Sequence, residues 1–295
     1  MAVSSTRVAS VVIPVYNRQQ IVGSAIESVV SQTVPPGWEV ELLVVDDGST
    51  DGTLEQIERY ADTYRSPSVP VISVSLPHHG FPGAVRNRGV ENARGEVLAF
   101  LDSDDRWYPE KLSTQLPHHE TEQCRISHTR EVWLRNDRVV SQRRQKHARY
   151  GDIFHDALHK CIVGPSTVIM ARSLFAEHGG FREDLEIAED YELWLRILAA
   201  EEICFIDTPL TEKRAGPWDQ LSEKYGQIEA FRISALRDLV RAEYFLHRGL
   251  PERHKHAQNT LAHKLRIYAA GARKRGRGEE ATRLEHEAHR YRPLL

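Results

Sequence analysis

The sequence predicts an α/β protein: a doubly wound, mostly parallel sheet with helices on both faces, followed by a C-terminal helical appendage. Three observations carry this. Short β-branched runs alternate with segments of helical period through the first hundred residues. Each apolar run ends in a polar cluster, as in sheets that gather ligands at the carboxyl ends of their strands. Beyond about residue 220 the chain is almost wholly helix-forming.

Residues 8–15 are a nearly continuous β-branched run, suited to a strand buried on both faces. Residues 18–32 place Val22, Ala25, Ile26, Val29 and Val30 on one helical stripe. Residues 40–45 form a second strand, ended by Asp46-Asp47-Gly48-Ser49. Residues 53–60 read as helix, 69–74 as strand, 84–93 as helix and 96–101 as a fourth strand. Repeated strand–helix–strand order calls for parallel pairing through right-handed crossovers. After Trp107 the rhythm breaks. Residues 131–140 read as a hairpin turning at Asn136-Asp137. A short strand over 166–170 leads to a short helix over 172–178, stopped by Gly179-Gly180. Residues 187–200 form a strong helix with Glu189 and Asp190 near its start, and 203–206 add a strand. The later helices break at Gly249-Leu250-Pro251 and at Gly276 to Gly278. Two domains follow, 1–215 and 216–295.

A chain of 295 residues, 40% hydrophobic, can bury a large core. Its net charge of −3 leaves no excess of cations for phosphate neutralisation, so nucleic acid is excluded as a partner. The charge is uneven: from residue 251 on, 11 Lys/Arg face 5 Asp/Glu, a net of +6, which leaves −9 on the first 250 residues. Leu261, Leu265, Ile267 and Tyr268 lie among the tail's charges. This tail fits an anionic membrane surface, a second copy of the chain, or a hairpin packed on its own catalytic domain. Cys124, Cys161 and Cys204 stand far apart without CxxC spacing and read as reduced core thiols. With no apolar run of about 18 residues and no leader pattern, a cytoplasmic protein is expected, peripheral at the inner membrane face if the tail docks there.

Four stretches carry chemistry. Ile13-Pro14-Val15-Tyr16-Asn17-Arg18 ends the first strand: taken alone it reads first as a strand-to-helix turn with an N-capping Asn, yet Tyr16 offers a flat face to a nucleobase, and Asn17 and Arg18 offer donors to phosphate or ribose. Asp47, in Val44 to Gly52, can accept from an imide N–H or ribose hydroxyls, or serve a turn. Asp102, Asp104 and Asp105 stand within four residues after the fourth strand, where like charges repel unless a cation neutralises them. A hard divalent ion, Mn²⁺ or Mg²⁺, would bind such oxygens and bridge them to a diphosphate. Glu189-Asp190 opens a helix, where a carboxylate pair stabilises the positive helix end or acts as a base. His78-His79 and His118-His119 read as solvated loop pairs, His128 as a structural histidine, and Trp133 and Trp194 as core.

Together the Val-Ile-Pro-Val-Tyr-Asn opening, Val-Asp-Asp-Gly-Ser-Thr-Asp-Gly-Thr, Gly83-Ala-Val-Arg-Asn-Arg-Gly89, Phe-Leu-Asp-Ser-Asp-Asp and Ala-Glu-Asp-Tyr-Glu-Leu-Trp resemble the inverting family 2 glycosyltransferases of the GT-A fold, across roughly residues 8–210. The resemblance implies transfer of a sugar from a nucleotide-sugar, UDP by default, to a hydroxyl acceptor: a glycan, a lipid-linked sugar or a small molecule. It implies that Pro14, Tyr16, Asn17, Asp47 and Arg86 surround the nucleotide, with Tyr16 stacked on the base and Asp47 on its imide edge. Asp102 falls near the ribose, Asp104 holds the metal, Asp190 is the catalytic base, and Glu189 stands at the acceptor or phosphate side. Two departures stand out. The Gln-x-x-Arg-Trp motif and membrane helices of processive relatives are missing, which implies addition of one sugar at a time. A late His found in many relatives is also missing from residues 211–220, where Lys213, Arg214 and Trp218 are candidates for its contact. A nucleotidyltransferase, the rival enzyme, would open with a glycine-rich loop, and residues 12–18 contain no glycine. A catalytically inactive GT-A binding subunit, the rival of another class, would not need Asp102, Asp104 and Asp190.

Overall fold

The computed structural model describes residues 6–65, 68–120, 123–135, 138–141, 149–215 and 228–291. Predominantly apolar runs produce β1 (Arg7–Val15), β2 (Trp38–Asp46), β3 (Val71–Ser75) and β4 (Val97–Phe100). These four pair in parallel in the order β3-β2-β1-β4. The crossover helices are α1 (Val22–Val30), α2 (Thr53–Thr63) and α3 (Pro82–Asn92). Alternation along β1 divides the packing: Ala9, Val11, Ile13 and Val15 join Val22, Ala25, Ile26, Val29 and Ile57 in one core cluster. Val12 points the other way, toward α3, where Gly89 permits close approach: a Cβ there would stand 2.4 Å from Val12 Cγ1.

Helix α3 is pinned elsewhere too. Gly83 abuts a backbone carbonyl, since its Cβ would lie 2.4 Å from the Arg182 oxygen. At the other end the Arg172 guanidinium donates to the carbonyls of Val90 (3.1 Å), Ala93 (2.7 Å) and Gly95 (2.5 Å). The first two belong to the last turn and C-cap of α3 and the third to the loop beyond, so one side chain secures the helix end.

The sheet continues with mixed pairing. β5 (Arg106–Trp107), β6 (Ile126–Arg135), β7 (Arg138–Val139), β8 (Ile169–Ala171) and β9 (Cys204–Ala215) extend it in the order β4-β8-β6-β9-β5, with β7 beside β6. Short helices α4 (Lys111–Gln115), α5 (Phe154–His159) and α6 (Arg172–Glu177) intervene, and α6 ends at Gly179 and Gly180, both at positive φ. The arms of the expected hairpin pair as Leu134↔Val139 and Arg135↔Arg138, while Asn136-Asp137 lies outside the described residues. Four expectations change. Residues 165–167 form a 3₁₀ turn instead of strand, because Thr167 N–H bonds back to the Gly164 carbonyl. The strand expected over 203–206 runs to Ala215, paired in parallel with β6 through two register shifts. Trp133 is 37% exposed, not core, with its indole N–H donated to Glu131. Cys124 and Cys204 form a disulfide, their Cα atoms 6.0 Å apart, so of the three only Cys161 keeps its thiol. The pairing of Ser127 with Cys204 across β6 and β9 brings these residues, 80 apart in sequence, together.

Contacts divide the chain into two compact units. The first holds the sheet. The second gathers residues 152–162, 187–201 and 221–295. It contains α5, α7 (Glu189–Leu198) and the C-terminal helices α8 (Ile228–Arg241), α9 (Tyr244–His247), α10 (Pro251–Lys274) and α11 (Gly278–Arg290). The breaks expected at Gly249 to Pro251 and Gly276 to Gly278 separate these helices. Ala269 and Ala272 of α10 pack on Ala281 of α11, and Arg237 and Arg241 both pair with Glu287. Leu261 and Leu265 are fully buried, so the apolar contacts the tail offered are used inside the fold; Ile267 stays 60% exposed. No helix among the described residues is long and apolar enough to cross a membrane.

Candidate active site

The parallel pairs put the ends of β1, β2 and β4 on one sheet edge: Val15 pairs with Asp46, and Val12 with Phe100. The polar clusters follow directly. Tyr16 lies past β1 with its ring 40% exposed, stacked on His78 at 4.1 Å between centroids. Asn17 sits at φ 49°, and its side-chain oxygen accepts from Thr50 N–H at 2.8 Å, locking the loops after β1 and β2 together. Pro14 is half-buried at the end of β1.

Asp47 is buried, and its two carboxylate oxygens accept from the backbone N–H groups of His79 (2.8 Å) and Gly80 (2.9 Å). His78 Nδ1 stands 2.9 Å from the same carboxylate. Gly48 makes the close approach feasible, since a Cβ there would meet His78 N at 2.7 Å. Tyr16, His78 and Asp47 thus form one contiguous group. The His78-His79 side chains are exposed, as the sequence suggested, but the pair also brackets Asp47. No spacing rule links residues 47 and 78; the β2–β3 crossover brings them together.

Past β4, Arg86 from α3 donates to Asp102 Oδ1 at 2.7 Å and lies over the Phe181 ring. Ser166 Oγ accepts from Asp102 N–H and donates to Asp105 Oδ2 at 2.7 Å. Burial pushes the Asp102 carboxyl upward, but the Arg86 and Lys213 charges outweigh it and hold it below the usual carboxylate range. Asp105 goes the other way: burial drives its pKa well up, Lys213 opposes, and the charges of Asp104 and Asp102 add to the rise. The repulsion expected among the three acids is thereby relieved. Lys213 loses solvation on burial, yet Asp105, Glu131, Asp102 and Asp104 more than restore its charge. Of the three candidates for the missing His contact, Lys213 brings its charge to the acids; Arg214 donates its backbone N–H to Asp105 Oδ1 at 3.3 Å while its guanidinium meets Glu212, and Trp218 lies outside the described residues. Asp104 is half-buried beside them. Ser166 was not foreseen, because no motif marks it.

Glu189 and Asp190 open α7 in the second unit, immediately after Ala188, which adopts φ 70°. Glu189 is buried. Asp190 is half-buried; its Oδ1 accepts from Tyr191 N–H at 2.6 Å, and its Oδ2 accepts from the Cys161 thiol at 3.3 Å. His128 is a buried structural residue bonded to the Arg149 carbonyl. His119 is buried rather than solvated, 2.7 Å from Ser127 Oγ, because the 3₁₀ turn at 116–119 directs it inward.

The family model described as glycosyl transferase family 2 matches residues 10–179. An uncharacterized glycosyltransferase of Rickettsia felis is 34% identical over 70% of this chain and 32% of its own, so the chain spans about a third of that relative. The putative teichuronic acid biosynthesis glycosyltransferase TuaG of Bacillus subtilis is 31% identical over 64% of this chain and 71% of its own. The Escherichia coli UDP-Glc:α-D-GlcNAc-diphosphoundecaprenol β-1,3-glucosyltransferase WfaP is 30% identical over 64% and 70%. Among solved structures, Staphylococcus aureus TarS 1–349 with UDP-GlcNAc superposes with a TM-score of 0.65 at 19% identity, covering 97% of this chain and 93% of that one. The Pyrobaculum calidifontis mannosyltransferase PcManGT, in complex with GDP-Man and Mn²⁺, gives 0.58 at 18% identity over 94% and 84%. These likenesses establish the GT-A fold.

Proposed function

This chain belongs to glycosyl transferase family 2, and from that premise we propose that it moves one sugar from a UDP-sugar to a hydroxyl of a cell-surface glycan, with inversion and with a divalent metal ion. The observation that carries the reading is the acid cluster at the end of β4, with Asp102 tied to Arg86 and Asp104 half-buried beside it. A hard cation bound to a nucleotide takes one or two protein carboxylates and completes its shell with phosphate oxygens and water. The donor set suits that arrangement: Asp104 stands half-buried in the cluster, between Asp102 and Asp105 in sequence. An ion held by Asp104 would supply Lewis-acid stabilisation of the departing diphosphate.

The remaining steps belong to side chains. The exposed ring of Tyr16 stacks on the base, where His78 now lies. Asp47, fixed by two backbone donors and with His78 Nδ1 against Oδ2, has acceptor capacity left on Oδ1 for the imide edge. Arg86 and Lys213 offset charge on the nucleotide side. Asp190 takes the acceptor proton as the hydroxyl attacks the anomeric carbon, with Glu189 on the acceptor side. UDP-Glc and UDP-GlcNAc in the names of WfaP and TarS support UDP, and the polysaccharide relatives support a cell-surface acceptor. The C-terminal helices offer their basic face to an anionic membrane or a second copy. Calorimetry of UDP, GDP and dTDP with and without Mn²⁺ tests the reading. UDP should bind in a Mn²⁺-dependent manner, and Asp104→Ala should abolish that dependence while leaving the fold intact; unchanged Mn²⁺-dependent affinity in the variant removes Asp104 as the ligand.

A further inference from the structure

We propose that Cys161 is a positioning residue for Asp190, an inference that rests on reading Asp190 as the base. Cys161 follows α5, and its thiol donates to Asp190 Oδ2 at 3.3 Å. The other oxygen, Oδ1, accepts from Tyr191 N–H at 2.6 Å. Tyr191 in turn donates its hydroxyl to the Leu158 carbonyl at 2.8 Å, which fixes α7 against the end of α5 three residues before the cysteine. The carboxylate is therefore held at both oxygens, one by its own helix and one by the loop that Tyr191 secures. A carboxylate bonded at one oxygen only would swing about its terminal torsion, whose energy wells are broad. A base must present a lone pair along the acceptor O–H direction, and misplacement at this distance costs rate rather than affinity.

In the step itself the acceptor O–H bond breaks as the oxygen–anomeric carbon bond forms. The proton passes to Asp190, and the electron pair of the sugar–phosphate bond leaves with UDP. Cys161 neither gains nor loses a proton; it orients the oxygen that does. Nothing in the sequence marks this pair, because the two residues lie 29 apart with no shared motif.

The test uses the full chain and follows hydrolysis of UDP-GlcNAc with Mn²⁺, water standing in as acceptor. Cys161→Ala should lower kcat by about five- to tenfold, the loss of one weak bond to a charged group, at unchanged donor KM and melting temperature. Cys161→Ser should stay within about twofold of wild type, since a hydroxyl donates in the same place. An alanine variant as fast as wild type, a serine variant as slow as alanine, or a rise in KM overturns the inference. Asp190→Asn separates the two readings. If it hydrolyses donor at the wild-type rate, the base assignment itself fails. Alkylation of Cys161 by iodoacetamide, followed by peptide mass spectrometry, probes the pair without turnover: a neighbouring negative charge disfavours the thiolate, so Asp190→Asn should react faster. An unchanged rate means the bond is absent, whatever Asp190 does.

Discussion

Replacing Arg86 with Met removes one end of the ion pair that joins α3 to the acid cluster after β4. The Arg86 side chain is 6% exposed and Asp102 26%, with 2.7 Å between them. Breaking a fully buried pair by removing one partner costs roughly 3–5 kcal/mol, because the other charge is left uncompensated. Here Asp102 retains some solvent, a side-chain hydrogen bond with Ser166, and the charge of Lys213. The expected loss is therefore smaller, about 2–3 kcal/mol at pH 7. Urea denaturation of wild type, Arg86→Met, Asp102→Asn and the double variant closes a cycle whose coupling energy reports the pair alone. The double variant should be more stable than the sum of the single losses predicts, by about 1–2 kcal/mol. A coupling below about 0.5 kcal/mol, or an Arg86→Met variant within 1 kcal/mol of wild type, refutes the claim that the pair is structural.

Gly89→Ala should destabilise the protein by about 1–2 kcal/mol despite the better helix propensity of alanine, because its Cβ would meet Val12 Cγ1 at 2.4 Å and Val45 Cγ2 at 3.1 Å; a stabilised variant in the same urea assay would contradict the packing. The pH dependence should carry a histidine signature. Burial, with the charges of His118, Lys111 and Arg7, lowers the His119 pKa to about 3, and burial lowers His128 to about 4. The unfolded chain then binds more protons below the ordinary histidine value. Stability is fully present above about pH 6.5 and falls below it by up to about 1.4 kcal/mol per pH unit for each group, down to the folded pKa. His119→Gln should flatten part of that slope between pH 6.5 and 4.5, and an unaltered slope would show that His119 already titrates normally.

Much of this was legible because a parallel sheet writes itself into sequence. β1, β2 and β4 are buried on both faces along most of their length, so their runs are predominantly apolar, and the clusters at their ends stand out by contrast. The tail breaks were legible for the same reason, since glycine and proline interrupt helices wherever they fall. What pairing over long distances decides was not legible. β9 runs through the polar residues 207–215, which carry no alternation, and its partner β6 lies about 80 residues earlier. The Cys124–Cys204 disulfide and the placement of Lys213 beside the acids both follow from that strand. Trp133 misled because a large ring reads as core whichever face of its strand it occupies. The contacts of Asp47 with residues 78–80 and of Asp190 with Cys161 join segments with no common period, so only the fold reveals them.

The anchoring of α3 has a thermodynamic consequence. Arg172 fastens the carbonyls of Val90 and Ala93 at its C-terminal end, Gly89 seats its middle on β1, and Gly83 sets its first turn against the Arg182 carbonyl. On the proposed reading, in which Arg86 meets the nucleotide, the helix that carries it has little freedom left to surrender on binding. Its ordering entropy is lost once, during folding, and is not charged again at each encounter. Arg86 should accordingly favour association through enthalpy with a small conformational penalty. Loosening α3 at Arg172, which holds its C-terminal end, should appear in calorimetry as a more negative binding entropy before it appears as a lost contact.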